Sequence, residues 1–350
     1  MVPASTTGRG AGNDAEKGAG KRRSENEGMR YIIIGAGAVG GSIGGRLAQA
    51  GHEVVLVARG AHGEALREGG LRLLTPDDSL TLRLPVLAGP EEYRPTAEDV
   101  LVLAVKTQDT VAALDAWAPV AGDLPLLCAQ NGVANERLAL RRFARVYGVC
   151  VWLPSGFLEP GVVVAPCAPL TGMLHIGRFP GGVDDTARRI SDDLERSCFL
   201  TPVQEDVMRW KYAKLLLNLA NSVEAVSGPP GADPVLGQLV KRAADEGREV
   251  LRAAGIAYAG QEEQLALRGD RMDIREVPGA PESRGSSWQS LRRGTGSIEA
   301  DYLNGEIVLL GRLHGVETPV NEALTRIANA FAREGREPGS LPAAELAALV

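Results

Sequence analysis

Tyr31-Ile32-Ile33-Ile34-Gly35-Ala36-Gly37-Ala38-Val39-Gly40 is an apolar run of strand length that breaks into three spaced glycines. The pattern Gly-x-Gly-x-x-Gly is weak alone in a chain with 43 glycines. Here it follows a strand directly and opens a helix ending near Gly51, the strand-turn-helix setting that a dinucleotide pyrophosphate requires. Gly35 permits the tight turn, Gly37 lets the backbone approach the pyrophosphate, and Gly40 lets helix and strand pack closely, with the helix N-terminus facing the anion. Gly35, Gly37, Ala38, Val39 and Gly40 are therefore the first candidate cofactor-binding residues. The alternative is a set of glycines that serves packing alone.

Working outward, Tyr31 to Ile34, Val54 to Ala58, Val100 to Val105 and Leu124 to Cys128 read as short apolar strands, with a helix over Val39 to Ala50 between the first two. Strands apolar on both faces and separated by helices predict a parallel sheet covered on both sides. Past about Gln204 the strand signal disappears, and helices are predicted over Asp206 to Val226, Val235 to Ala254 and Ser297 to His314. Gly255 and Gly315 stand where C-terminal caps of the last two belong. The fold class is α/β: an N-terminal Rossmann-type doubly wound parallel sheet with a C-terminal all-helical domain, and a cleft between them. The boundaries are a disordered leader over 1–28, a dinucleotide-binding domain over 29–203, a helical substrate domain over 204–338 and a tail over 339–350. Met29 is a candidate true start.

Composition agrees, since 350 residues exceed what one core usually holds and 44% hydrophobic residues can fill two. A net charge of -6, 4% aromatics and no basic stripe argue against nucleic acid and anionic membranes as partners. The leader lacks the apolar core of a signal peptide, and the best apolar stretch, Pro160 to Gly177, is interrupted by proline, so a cytoplasmic location is expected. Cys128, Cys150, Cys167 and Cys198 form no Cys-x-x-Cys pair and read as buried reduced thiols. His52, His62, His175 and His314 are scattered, and no metal is expected.

The second strand selects the cofactor. Sites for NAD and FAD place a carboxylate at its end to hold the ribose 2'-hydroxyl. Here Glu53 stands at the wrong end, and the C-terminal position is Arg59, a planar cation suited to a 2'-phosphate. NADP(H) is favoured, unless Arg59 only solubilises its loop.

Further motifs border the cleft: Leu103-Ala104-Val105-Lys106-Thr107, Gln130-Asn131-Gly132, Trp210-Lys211-Tyr212-Ala213-Lys214-Leu215-Leu216-Leu217-Asn218, Ser286-Ser287-Trp288, Glu299-Ala300-Asp301-Tyr302-Leu303-Asn304-Gly305 and Gly315-Val316-Glu317-Thr318-Pro319-Val320-Asn321. With these, residues 29–335 resemble the ketopantoate reductase (2-dehydropantoate 2-reductase) family in motif order and spacing. The resemblance implies NADPH-dependent reduction of a 2-keto acid to a 2-hydroxy acid, ketopantoate to pantoate, and a homodimer paired through the helical domain.

The residue types suit that chemistry. Hydride reaching a carbonyl carbon leaves charge on oxygen, which needs a proton or an electrostatic partner. Lys214 shares a helix stripe with Trp210 and Asn218, a setting that lowers a lysine pKa toward that of a general acid. Lys211 is its rival, and a surface salt bridge is the alternative role for Lys214. The resemblance matches Glu299 to the family's acidic site residue, expected to position the substrate hydroxyl and hold the lysine ammonium, with Ser297 capping its helix. It matches Ser287 to the group binding the substrate carboxylate, Asn131 and Asn218 to amides on substrate or nicotinamide, and Lys106 to a cleft cation.

Departures fall on the substrate side. The acid that the family often carries three residues after its second serine is replaced in Ser286-Ser287-Trp288-Gln289-Ser290, Asn221 follows Asn218 by three positions and is rotated off the stripe, and Ser227-Gly228-Pro229-Pro230-Gly231 lacks an asparagine. Reduction of a different carbonyl or an imine, and a non-catalytic NADPH sensor, stay open as alternatives. Retention of Lys214 and Glu299 argues against the sensor.

Overall fold

A computed structural model of the chain describes residues 28–281 and 284–350; the expected leader falls, but for Gly28, outside the described residues. Its strands are β1 (Arg30–Ile34), β2 (Glu53–Val57), β3 (Leu71–Leu74), β4 (Ser79–Leu82), β5 (Val86–Leu87), β6 (Asp99–Leu103), β7 (Pro125–Cys128), β8 (Arg145–Trp152), β9 (Val162–Val164), β10 (Cys167–Pro169), β11 (Gly172–Arg178), β12 (Phe199–Leu200) and β13 (Met272–Ile274). The first half carries helices α1 (Ala38–Gln49), α2 (Gly60–Gly69), α3 (Thr110–Ala121), α4 (Asn135–Ala139) and α5 (Asp185–Arg196). The second half is built from α6 (Val207–Asn218), α7 (Ala220–Ser227), α8 (Pro234–Ala253), α9 (Gln261–Arg268), α10 (Ser286–Arg292), α11 (Asn304–His314), α12 (Pro319–Glu334) and α13 (Ala343–Leu349).

Eight strands form one sheet in the order β12-β11-β8-β7-β6-β1-β2-β5. Its pairings are parallel except β8 with β11, which run antiparallel, a departure from the all-parallel expectation. β1 alternates between two cores: Tyr31 and Ile33 pack on one face with Ile43 and Leu47 of α1, while Ile32 and Ile34 pack on the other with Leu114 and Trp117 of α3. Burial on both faces is why these strands lack a polar alternation. The chain leaves β1 for β2 on one side and returns to β6 on the other, so a crevice opens at the carboxyl ends of β1 and β6, where such sheets bind ligands. The helices from α6 onward enclose a separate core built around Leu215, Leu239, Ile307 and Phe331.

Several expectations are corrected. The helix read over Asp206 to Val226 is interrupted at Leu219, giving α6 and α7. The strand β13 lies in the helical half and pairs with β10 in a two-stranded ribbon. The helix read from Ser297 begins only at Asn304, preceded by a 3-10 turn over Glu299–Tyr302; Ile298 occupies its cap in an extended conformation, and Ser297 caps nothing but accepts a hydrogen bond from Gln108 Nε2 (3.2 Å). Residues past 339 are no tail: α13 forms, and Leu341 and Leu346 are buried in the helical core. Cys198 is exposed, unlike the other three thiols. Gly255 and Gly315 take the positive φ of helix ends, 65° and 70°. Among the described residues no helix is long and apolar enough to cross a membrane.

At the end of the sheet away from the crevice, Asp99 is fully buried and accepts hydrogen bonds from Arg30 Nε (2.7 Å), Arg30 Nη2 (3.0 Å), the Thr96 amide (2.7 Å) and the Tyr93 hydroxyl. Burial alone would raise this carboxyl, but the Arg30, Tyr93 and Thr96 hydrogen bonds outweigh it and hold the pKa below the ordinary range. A depressed folded pKa contributes stability in full above the unfolded value of about 4, and that stability is lost as pH falls toward the folded value. We expect Asp99→Asn to cost about 2–4 kcal/mol in urea unfolding at neutral pH, because the Arg30 guanidinium loses its anion. The difference between variant and parent should shrink as the pH is taken below about 4.

Candidate active site

The phosphate turn comes first. Gly35 has φ 98°, and a Cβ there would stand 2.9 Å from Val105 Cγ1 and 3.0 Å from its amide nitrogen. At Gly40 a Cβ would meet the Gly35 carbonyl oxygen at 2.1 Å. Gly37 differs: a Cβ would find only Phe157, at 3.9 Å, so the space above this residue is open. Helix α1 carries no side-chain cap and no acid in its first turn, which leaves the amides of Ala38, Val39 and Gly40 as donors the helix cannot use. An open cradle, free amides and an uncompensated dipole fit a pyrophosphate.

Arg59 is exposed at the N-cap of α2, just past β2. Burial raises the Asp109 carboxyl, and the nearby Arg59 charge partly opposes that rise.

Loops after β6 and β7 supply the next group. Lys106 Nζ lies 2.6 Å from Glu299 Oε2, and Glu299 Oε1 accepts hydrogen bonds from the Thr107 amide (3.0 Å) and hydroxyl (3.1 Å). Burial pushes the Glu299 carboxyl up, but Lys106 and Thr107 prevail and keep it below its ordinary range, hence ionised at neutral pH. The expected pairing of Glu299 with Lys214 is thereby corrected: its partner is Lys106. Thr107, without a role in the sequence reading, is the residue that fixes the carboxylate in place. Asn131 Oδ1 accepts from Asn218 Nδ2 at 3.2 Å, so the two amides meet across the cleft.

The two lysines of α6 separate cleanly. Lys211 is buried, its ammonium paired with Glu136 and donating to the Gln130 carbonyl (3.1 Å). Lys214, one turn on, is partly exposed and makes no ion pair or hydrogen bond among the described residues; its ammonium sits 4.2 Å from the centre of the Trp152 ring. Burial lowers its pKa, and the Cys150 thiol opposes this only in part. An ammonium with a depressed pKa and no acid partner can give up a proton, whereas Lys211 is sealed in its pair.

Ser287 is buried near the start of α10, which packs against α7, and it makes no hydrogen bond to the other candidates among the described residues. Gln289 joins this helix to the loop after β8, donating to Ser155 O (2.9 Å) and accepting from the Phe157 amide (3.1 Å).

Residues 31–181 match the family model "Ketopantoate reductase PanE/ApbA", and residues 206–332 match its C-terminal counterpart. The 2-dehydropantoate 2-reductase of Mesorhizobium japonicum is 30% identical over 332 residues, spanning 87% of this chain and 98% of that one. The chain belongs to the ketopantoate reductase family. The 2-dehydropantoate 2-reductase of Pyrococcus horikoshii is 28% identical over 308 residues, 86% of this chain and 97% of that protein. A crystal structure of a PanE/ApbA family ketopantoate reductase from Ralstonia eutropha superposes with a TM-score of 0.74 at 28% identity, covering 88% of this chain and 100% of that one.

Within that family frame, the lysine assignment is open to a direct check. Lys211→Met should cost about 3–5 kcal/mol in chemical unfolding, because Glu136 is left buried without its cation. Lys214→Met, which removes a partly desolvated charge with no ion pair among the described residues, should leave stability within about 1 kcal/mol of the parent. Equal losses for both would contradict the distinction.

Proposed function

We propose that this protein is an NADPH-dependent oxidoreductase that reduces 2-dehydropantoate to pantoate. The observation that carries this reading is Lys214: an ammonium without an acid partner among the described residues, one helical turn before Asn218, which in turn holds Asn131 at the carboxyl end of β7. A reduced nicotinamide dinucleotide, when bound, supplies the hydride. The chain's own residues do the rest. Gly37, Ala38, Val39 and Gly40 present amides to the pyrophosphate, and Arg59 presents its fork to the 2'-phosphate. Asn131 and Asn218 orient the amide edge of the ring and the substrate. Lys214 Nζ gives a proton to the carbonyl oxygen as negative charge builds there. Lys106, neutralised by Glu299, orders the loop between the phosphate turn and the substrate, and Ser287 binds the substrate carboxylate. Glu299, ionised and already accepting from Lys106 and twice from Thr107, orients those groups rather than supplying a proton.

A second reading is reduction of another 2-keto acid. It is favoured by the indole of Trp152 under Lys214 and by the neutral Gln289 and Ser290 in α10, which give the substrate side an apolar and uncharged character. We also place the enzyme in the cytoplasm, on the unpaired buried thiols Cys128, Cys150 and Cys167, and propose a homodimer, on the apolar Leu309 and Leu313 exposed by α11.

The test is NADPH oxidation with 2-dehydropantoate beside a panel of 2-keto acids. Lys214→Ala should lower kcat by about 10²–10⁴-fold, and Arg59→Ala should weaken NADPH about ten- to a hundred-fold while leaving NADH unchanged. Turnover of another 2-keto acid without turnover of 2-dehydropantoate would transfer the conclusion to the second reading. No turnover with any carbonyl would sink both.

A further inference from the structure

Arg293 belongs to none of the motifs above, yet from the opposite domain it packs on Phe157, the side chain that borders the phosphate turn. It caps α10, after which Gly294 turns the chain at φ 64°. Nη1 donates to the Phe157 carbonyl (2.6 Å), and the guanidinium lies 5.2 Å from the centre of the Phe157 ring. Phe157 is the residue that a Cβ at Gly37 would touch, and its ring stands 4.4 Å from the His62 imidazole. His62 ties the group to the turn itself: Nε2 is 2.8 Å from the Ala36 carbonyl, and Nδ1 accepts from the Gly161 amide (3.0 Å). A ring that donates at one nitrogen and accepts at the other is neutral, so His62 offers Arg293 no charge.

Arg293 is half-buried and makes no ion pair among the described residues. Glu299 is near enough for its charge to act on the guanidinium, but both of its oxygens are already taken by Lys106 and Thr107. A partly desolvated guanidinium with donors to spare calls for an anion. The nearest feature built for one is the open cradle over Gly37, with its uncapped helix and no first-turn acid. We propose that Arg293 is a second grip on the dinucleotide, donating to the pyrophosphate from the helical domain while the turn donates from the sheet domain. This assignment rests on the cofactor reading given above. Its consequence is that cofactor binding draws the two domains together through one side chain, with Phe157 as the surface on which that side chain is held.

Binding of NADPH and of the nicotinamide-free 2'-phospho-ADP-ribose, followed by fluorescence titration or calorimetry, tests the assignment without reference to turnover. Arg293→Gln can keep the hydrogen bond to Phe157 but loses the charge; Arg293→Lys keeps a charge but loses the fork. Arg293→Gln should weaken both ligands by about ten- to a hundred-fold, Arg293→Lys should recover part of that loss, and the KM of the keto acid at saturating NADPH should not move. Unchanged affinity for both dinucleotides in folded Arg293→Gln overturns the proposal. So does a rise confined to the KM of the keto acid, which would put the substrate carboxylate on Arg293. If the unaltered protein bound neither dinucleotide, the cofactor reading itself would fail, an outcome distinct from equal binding by parent and variant.

Discussion

The buried pair between Lys211 and Glu136 is the constraint on which the cleft depends. Two charges removed from water cost several kcal/mol each before their attraction is counted, and one Glu136 oxygen has no hydrogen-bond partner. What the pair supplies is register. It fixes α6 against α4 and the end of β7, and the helix is held on its other contacts by Trp210, whose ring stacks 4.1 Å from His175 and whose carbonyl accepts from the Cys150 thiol. With rotation and sliding of α6 both blocked, the position one turn past Lys211 has a single place to go. That place is above the Trp152 indole, at the edge of the cleft.

Charge in the cleft runs against the charge of the chain. The protein carries a formal -6, but the charged groups of the candidate site are Arg59, Lys106, Lys214 and Arg293 against Glu299 and Asp109. Glu299 is spent on Lys106, which leaves Arg59, Lys214 and Arg293 against Asp109, so the balance among these candidate groups is positive. A concave site of that sign concentrates anions, and a phosphorylated dinucleotide and a keto acid are both anions. Lys214 has a lowered pKa for a different reason: burial disfavours its charged form, and the Cys150 thiol opposes this only in part.

How much of this was legible in the sequence follows from how local each constraint is. The turn is written out in adjacent residues, because a Cβ at Gly40 would collide with the backbone five positions earlier. The sheet strands are equally plain, since burial on two faces leaves an unbroken apolar run. Lys106 with Glu299 is another matter: the two are separated by 193 positions, and nothing near either residue names the other. Lys211 and Lys214 share one helix and similar neighbours, so only the element packed opposite could divide a sealed ion pair from a free ammonium. The 3-10 turn at Glu299 replaced a helical start because Ile298 enters extended, with its side chain buried, and that tertiary burial overrides the capping preference of Ser297. Arg293 escaped notice for a related reason. In sequence it is one of two adjacent arginines before a glycine, and its half-buried position over Phe157 exists only once α10 meets the loop after β8.

The substitution at Ser290 draws the substrate side and the cofactor side together. Residues three apart on a helix are neighbours, so an acid at 290 would stand beside Arg293 and neutralise it. Serine instead donates back to the Ser286 carbonyl (3.1 Å) within its own helix. Gln289, next to it, takes over the attachment of α10 to the Ser155 to Phe157 loop with a neutral amide. Helix α10 therefore carries no acid of its own yet keeps its anchorage. The Arg293 guanidinium is left on Phe157, the side chain that borders Gly37, with no ion pair among the described residues. The neutral residues of α10 thus have two consequences: a helix with no carboxylate of its own, and a guanidinium at its end with no ion pair among the described residues.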